Sequence, residues 1–230
     1  MHDMKAVVLL SGGIDSATTC AVARDAGYDV YALSFFYNQR HHMEIRAARR
    51  LADSFQVSRH IIINLPSLIF SSSALIKGSP EEIPQKEISD PSDIPVTYVP
   101  GRNILFLSYA LSYAENIAAR DIFIGANCVD YSGYPDCRPA FIEAFEQMAN
   151  LGTKSGVTGN RIRIRAPLIM MKKSEIITLG TELGVDYGMT LSCYNPSGEG
   201  LSCGRCDSCV IRKAGFAEAG IPDPTRYRAE

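Results

Sequence analysis

The chain has 230 residues, 46% of them hydrophobic, and a formal charge of −2 with no run of lysines and arginines. That size buries one principal core plus a small appendage, and the near-neutral balance excludes strong nonspecific attachment to nucleic acid or an anionic membrane, so small molecules are the expected partners. No apolar stretch approaches bilayer length and no signal-peptide cleavage pattern follows the first residues, so a cytoplasmic protein without direct nucleic-acid or membrane contact is expected.

Ala6 to Leu10 reads as a strand, and Asp15 to Ala26 carries apolar residues at helical spacing. Between them lies Leu10-Ser-Gly-Gly-Ile-Asp-Ser16. A strand running through a glycine turn into a helix leaves backbone N–H groups unpaired around one point, where an anion can settle. Gly12 and Gly13 are expected to let the backbone approach phosphates, and Ser11 and Ser16 add hydroxyls. No lysine follows the glycines, so the turn is not the phosphate loop of the common nucleoside triphosphatases. Asp15 beside phosphates implies an intervening cation, which makes it a candidate Mg²⁺ contact. Plain helix capping by Ser11 and Asp15 is the alternative.

Val30 to Phe36 is the second strand, followed by Tyr37 to Glu44, which concentrates Gln39, Arg40, His41 and Glu44 at the entrance of a helix spanning His42 to Phe55. Arg40 suits phosphate or carboxylate; a solvated first turn is the competing account. A third strand is expected over His60 to Asn64. Residues 66–100 are rich in Ser, Pro and Glu with weak periodicity and read as a lid over the site or a partly ordered connector. Val99 to Asn103 opens the helix Asn103 to Ala118 and sets Arg102 and Asn103 where an anion or an adenine can be held, with capping by Asn103 as the alternative.

After a strand at Ile122 to Gly125, the loop Ala126 to Pro139 is too polar for a core and too aromatic for a plain solvent loop. Tyr131 and Tyr134 can stack on a flat heterocycle, and Asp130 or Asp136 can accept hydrogen bonds from a guanine-like edge. Capping by Asp136 of the helix that begins near Pro139 competes with that reading. A helix over Arg138 to Leu151, a strand over Arg161 to Arg165 and a helix over Ser174 to Leu183 complete the alternation, with Lys173 at the last helix's start as a candidate for neutralising phosphate. Strand-helix repetition of this kind implies an α/β fold, a Rossmann-like parallel sheet with helices on both faces, whose ligands gather at the carboxyl ends of the strands.

Four of the seven cysteines crowd the end of the chain as Cys193-x9-Cys203-x2-Cys206-x2-Cys209. This spacing can bring four thiolates round one tetrahedral ion, with Zn²⁺ the default occupant and an iron–sulfur cluster the alternative. Four sulfur ligands leave no open position, so a structural role is expected. A division into an α/β domain over 1–190 and a metal-binding segment over 191–230 follows.

Ser11-Gly-Gly-Ile-Asp-Ser16 resembles the pyrophosphate-binding loop of the N-type ATP pyrophosphatases, within the adenine nucleotide alpha hydrolase-like superfamily. Together with Tyr37 to His41, Val99 to Asn103, Asp130 to Pro139 and the cysteine tail, the whole chain resembles the 7-cyano-7-deazaguanine synthase family. The resemblance implies an ATP-dependent ligase that turns 7-carboxy-7-deazaguanine and ammonia into the nitrile preQ0 for queuosine synthesis. Adenylation of the carboxylate, amide formation and dehydration are the implied steps. It implies ATP contacts from Leu10 to Ala17 with Arg102 and Asn103, and catalytic roles for Ser11, Asp15 and Lys173. Substrate contacts are implied at Gln39, Arg40, Glu44, Asp130, Tyr131, Tyr134 and Asp136, with Zn²⁺ on the four cysteines, Mg²⁺ with ATP, and a homodimer. Asn38 stands where the family usually has glycine, and Met170-Met171-Lys172 replaces a more typical Leu-Thr pattern. Rival readings are a tRNA-modifying adenylase or sulfur transferase of the same superfamily, which predicts a basic extension, and a catalytically dead nucleotide sensor.

Overall fold

Alternation along the first strand decides how the chain wraps. In β1 (Lys5–Leu9), Val7 and Leu9 pack into one apolar cluster while Ala6 and Val8, with Leu10 just beyond, pack into another, so the sheet is covered on both faces. The computed structural model describes residues 4–39, 41–66, 73–77, 80, 83, 94–129 and 133–229. Along them run α1 (Ile14–Asp25), β2 (Asp29–Phe36), α2 (Met43–Ser54), β3 (Arg59–Asn64), α3 (Arg102–Asn116), β4 (Asp121–Phe123), α4 (Pro139–Gly152), α5 (Lys154–Val157), β5 (Arg163–Arg165), α6 (Lys173–Glu182) and α7 (Asp207–Ala219). All four strand pairings are parallel, in the order β3-β2-β1-β4-β5.

Helices α3 and α4 cover one face through Leu107, Ala110, Ile142 and Phe145. The other face is covered by α1, α2, α6 and α7, which bring Cys20, Leu51, Ile176 and Phe216 into a second core. The chain leaves β1 outward through β2 and β3 and then returns to the opposite side with β4. Its direction of winding therefore switches between β1 and β4, and their carboxyl ends open a crevice there.

The five expected strands are present, β4 and β5 each being three residues long. Helix α7, like the single-turn α5, is an element the sequence did not announce. Its interior mixes Arg212, Lys213 and Gly215 with the apolar residues, so no broad apolar stripe marks it. It ends at Gly220, whose φ of 66° is the left-handed helix stop. The expected lid over 66–100 falls largely outside the described residues; of those described, Ala74, Ile76 and Val99 are buried in the core, and Ile76 forms an antiparallel bridge to Gln39. Asn38 has φ 64°, a conformation that asparagine tolerates far better than most non-glycine residues. No described helix is long and apolar enough to cross a membrane.

Candidate active site

The crevice is a cleft of about 250 Å³, with walls from the ends of β1 and β2, the segment after β4, the starts of α1, α2, α3 and α6, and the cysteine segment through Ser192, Tyr194, Ser208 and Arg212. It gathers Leu10, Ser11, Gly13, Ile14, Asp15, Ser16, Gln39, Glu44, Arg102, Asn103, Tyr134 and Lys173, which stand far apart in sequence. Arg40, Asp130 and Tyr131 lie outside the described residues.

At one end the turn before α1 is stitched by its own hydroxyls. Ser11 Oγ bonds Ser16 Oγ at 3.0 Å, Ser16 Oγ accepts from the Gly12 N–H at 3.2 Å and donates to the Gly13 carbonyl at 3.1 Å. Ser16 therefore shapes the turn, and its single proton is already placed. Gly13 begins α1 with extended backbone and no side-chain cap, so the first-turn N–H groups carry the positive end of the helix at the cleft.

The two glycines have different reasons. Gly13 has nothing within 3.4 Å of a modest added carbon, whereas Gly12, at φ 96°, would drive a Cβ to 2.5 Å from the Glu44 carbonyl and 2.9 Å from the Ala48 nitrogen. Phosphate approach was expected to explain both; the close passage of α2 explains Gly12, which does not line the cleft. Ala17 is fully buried in the core behind the turn.

Asp15 and Lys173 meet across the turn, Nζ to Oδ1 at 2.6 Å, with side chains 20% and 8% exposed. Lys173 reaches that point from the first position of α6, and its stem runs over α7 at Gly215. A Cβ there would stand 2.5 Å from Lys173 Cγ and 2.9 Å from its Cβ. The contact ties the cysteine segment's helix to the turn before α1.

The other end is aromatic and charged. Phe35 of β2 stacks on Phe106 of α3, centroids 4.0 Å apart, and both line the cleft. Arg102 Nη1 donates to the Tyr37 hydroxyl at 3.4 Å. Burial works against its charge, but the oxygens of Tyr37 and Tyr134 outweigh it and hold the guanidinium above its usual range. Glu44 faces the same environment: burial pushes its carboxyl up to about 7, against the pull of Arg102 and a hydrogen bond from Gln39. Gln39 also braces the loop, accepting from the Tyr37 N–H and donating to the Phe35 carbonyl, each at 3.0 Å. Tyr134 is buried, with its hydroxyl 2.6 Å from Thr97.

Asp136 is 4% exposed and does not line the cleft. It was weighed as the cap of the helix near Pro139; its Oδ2 instead accepts the Asn103 N–H at 3.1 Å, in the first turn of α3, while Asn103 Nδ2 donates to the Asp136 carbonyl at 3.0 Å. Asp136 thus anchors the helix that carries Arg102. Beside it, burial and the Asp136 charge push the Cys137 thiol up to about 11, which keeps it neutral and unreactive.

The four C-terminal cysteines place their sulfurs within 4.8 Å of one another. Tetrahedral sulfur ligation at about 2.3 Å implies sulfur pairs about 3.8 Å apart, and Cys203 and Cys209 stand at 4.0 Å. Backbone N–H groups of Asn195 and Cys203 point at Cys193 Sγ at 3.3 and 3.1 Å, and that of Cys206 at Cys203 Sγ at 3.3 Å, an arrangement that supports thiolates. Hydrogen bonds from Cys193 and Cys209 hold the Cys206 thiol below its usual range, the direction a metal-binding thiolate needs. The residues fit a closed metal site.

Sequence reasoning passed over Phe35, Phe106, Ser192, Ser208 and Gly215. The two phenylalanines look like core in any periodicity, and Ser208 and Gly215 sit on the unannounced α7.

A parallel sheet with a switch-point crevice and an uncapped helix N-terminus defines an α/β protein whose cleft opens on unpaired backbone donors, the setting in which such folds bind anions. A family model described as "Queuosine biosynthesis protein QueC" matches residues 5–220, and the chain belongs to that family. It is 56% identical over 229 residues to a 7-cyano-7-deazaguanine synthase from Syntrophobacter fumaroxidans, covering 98% of this chain and 97% of the relative. A 7-cyano-7-deazaguanine synthase from Azotobacter vinelandii is 57% identical over 227 residues, covering 99% and 100%. Among solved structures, NMN synthetase from Francisella tularensis aligns with a TM-score of 0.50 at 18% identity, over 96% of this chain and 79% of that one, a likeness of fold alone.

Proposed function

We propose that the protein is an ATP-dependent ligase that converts 7-carboxy-7-deazaguanine and ammonia into 7-cyano-7-deazaguanine. The observation that carries the reading is one cleft joining an anion-binding helix start with the Asp15–Lys173 pair to an aromatic slot with the buried charges of Arg102 and Glu44.

Ammonia cannot expel oxide from a carboxylate, so the oxygen must first become a leaving group. In this reading the first-turn N–H groups of α1 and Lys173 stabilise the charge that builds on pyrophosphate as the carboxylate oxygen takes AMP. Lys173 occupies one carboxylate oxygen of Asp15, and we assign Asp15 to the Mg²⁺ that accompanies ATP, which supplies neutralisation of the polyphosphate. Phe35 and Phe106 wall a flat ring, Glu44 accepts from its ring N–H or amino groups, and Arg102 offers donors to its carbonyl or carboxylate. Ammonia then displaces AMP to give the amide, and a second activation of the amide oxygen with loss of AMP leaves the nitrile.

Zn²⁺ is the ion we assign to Cys193, Cys203, Cys206 and Cys209, in a structural role that fixes the start of α7. We further propose a cytoplasmic homodimer that acts on free small molecules, in keeping with the −2 charge. Incubation with Mg-ATP, ammonium and 7-carboxy-7-deazaguanine, followed by mass spectrometry, should yield the nitrile with AMP and pyrophosphate. Release of neither AMP nor nitrile would refute the assignment.

A further inference from the structure

A metal site closed by four sulfurs leaves no position for a reactant, yet the segment that carries it forms part of the cleft wall. Two of its ligands, Cys193 and Cys209, each follow a serine, and both Ser192 and Ser208 line the cleft. Neither hydroxyl has a hydrogen-bond partner among the described residues, and Ser208 is only 5% exposed. Hydroxyls so placed normally find a partner, so this wall asks for a ligand that accepts hydrogen bonds.

The backbone brings Ser192 to the turn before α1. The Leu191 N–H donates to the Gly12 carbonyl at 2.9 Å, which lays the chain ahead of Cys193 against that turn. A carbon added to Gly13 would have as its nearest neighbours, beyond the adjoining residues, the Leu191 carbonyl oxygen and Ser11 Oγ at 3.8 Å and Ser192 Oγ at 3.9 Å. Gly13 has φ −88° and ψ 174°, extended backbone that any residue adopts, so neither strain nor crowding in the protein itself calls for glycine there. The missing side chain leaves an opening on the cleft at the uncapped start of α1, within 4 Å of a hydroxyl from the turn and one from the cysteine segment. The turn has no hydroxyl proton to offer an anion in that opening. Ser11 donates to Ser16 Oγ, and Ser16 donates to the Gly13 carbonyl. Ser192 has its proton uncommitted.

We infer that Ser192 donates a hydrogen bond to a phosphoryl oxygen of the pyrophosphate that leaves ATP, in the opening over Gly13, so that the cysteine segment completes the anion site begun by α1. This rests on the function proposed above. Ser208 supplies a second uncommitted hydroxyl on the same wall. Holding Cys193 in the metal site fixes the residue next to it, which gives a closed metal site beside a nucleotide cleft a purpose.

Binding of Mg-pyrophosphate to the metal-loaded protein, followed by calorimetry, reads the contact without turnover. In Ser192→Ala its Kd should rise about tenfold, the loss of one hydrogen bond to a charged group, while AMP should bind within about twofold of the unaltered protein. Gly13→Ala fills the opening with a methyl that meets only ordinary contacts, and it should weaken pyrophosphate as well. In that background Ser192→Ala should cost little more, because both changes act on one contact. Ser192→Thr and Ser192→Val share a shape and differ in the hydroxyl. The threonine protein should bind pyrophosphate about tenfold more tightly, a comparison that stands should the alanine variant fail to fold. Metal content should be the same in every variant. An unchanged Kd in Ser192→Ala, a loss shared by AMP, a full loss repeated in the Gly13→Ala background, or a loss that tracks metal content would each overturn the contact and leave nitrile formation by the unaltered protein standing. Unaltered protein that binds pyrophosphate through Ser192 but releases neither AMP nor nitrile in the presence of the deazaguanine acid would refute the parent function and uphold the anion contact.

Discussion

At the turn over residues 11–16 the cleft is lined by backbone donors, hydroxyls bonded to one another and Asp15 paired with Lys173, whereas across it Arg102 and Glu44 are ionisable groups drawn out of water. The turn comes from one continuous stretch, held from outside at Gly12 by α2 and Leu191 and at Asp15 by Lys173. The charged slot is assembled from β2, α2, α3 and the loop before α4, and it holds only because Gln39 braces one loop and Asp136 anchors α3. Local geometry suits a ligand every nucleotide enzyme shares, a polyphosphate. A ligand peculiar to one reaction requires side chains converging from distant segments.

The sharpest way to break that contrast is at Lys173, a side-chain charge brought to the turn by a distant element. Lys173→Met leaves the turn intact but removes the cation beside Asp15. We expect kcat to fall about 1,000-fold, the scale of losing a preorganised charge at a developing anion, with metal content unchanged. Steady-state kinetics with metal analysis checks it. A raised KM for ATP with kcat preserved would mean that backbone donors alone stabilise the reaction there.

That division also explains what could be read in advance. The alternating sheet, the turn and the cysteine spacing are short-range patterns, and each stands where strand periodicity, glycine and ligand spacing put it. Gly12 was legible as a required glycine but not for its reason, because the backbone of α2 that crowds it arrives from 32 residues away. Asp136 was expected to contact substrate, with capping as the alternative, but its partner Asn103 lies 33 residues earlier in the chain, and no local rule names it. Helix α7 was hidden because its core-facing positions include Gly215, a residue chosen for contact with Lys173 rather than for helix formation.

Gly215 tests whether the cysteine segment, which lines the cleft through Ser192, Ser208 and Arg212, also sets the position of Lys173. In Gly215→Ala the helix itself gains about 1 kcal/mol of propensity, yet the new methyl meets the Lys173 stem at 2.5 Å and must displace it. We expect kcat to drop about 10- to 100-fold with four-cysteine metal content and melting temperature close to the unaltered protein. Unchanged kinetics would show that Lys173 reaches Asp15 by a second route.

The smallest effect concerns the opposite end and reads the charge of Glu44 directly. Its folded pKa is raised, about 7 against an ordinary 4.5, chiefly by burial. Between those values the folded protein keeps a proton that the unfolded chain has released. Stability therefore falls as pH rises through that window, and the full penalty is present above it. Glu44→Gln removes the ionisation while keeping size and hydrogen-bonding capacity. Melting temperatures of the two proteins should coincide near pH 4.5, and the variant should melt several degrees higher at pH 8. The same variant should bind the deazaguanine acid more weakly, because a neutral amide replaces an anionic acceptor. Equal melting temperatures at both pH values would mean that Arg102 fully compensates the carboxylate, and the slot would then be as neutral in effect as the turn it faces.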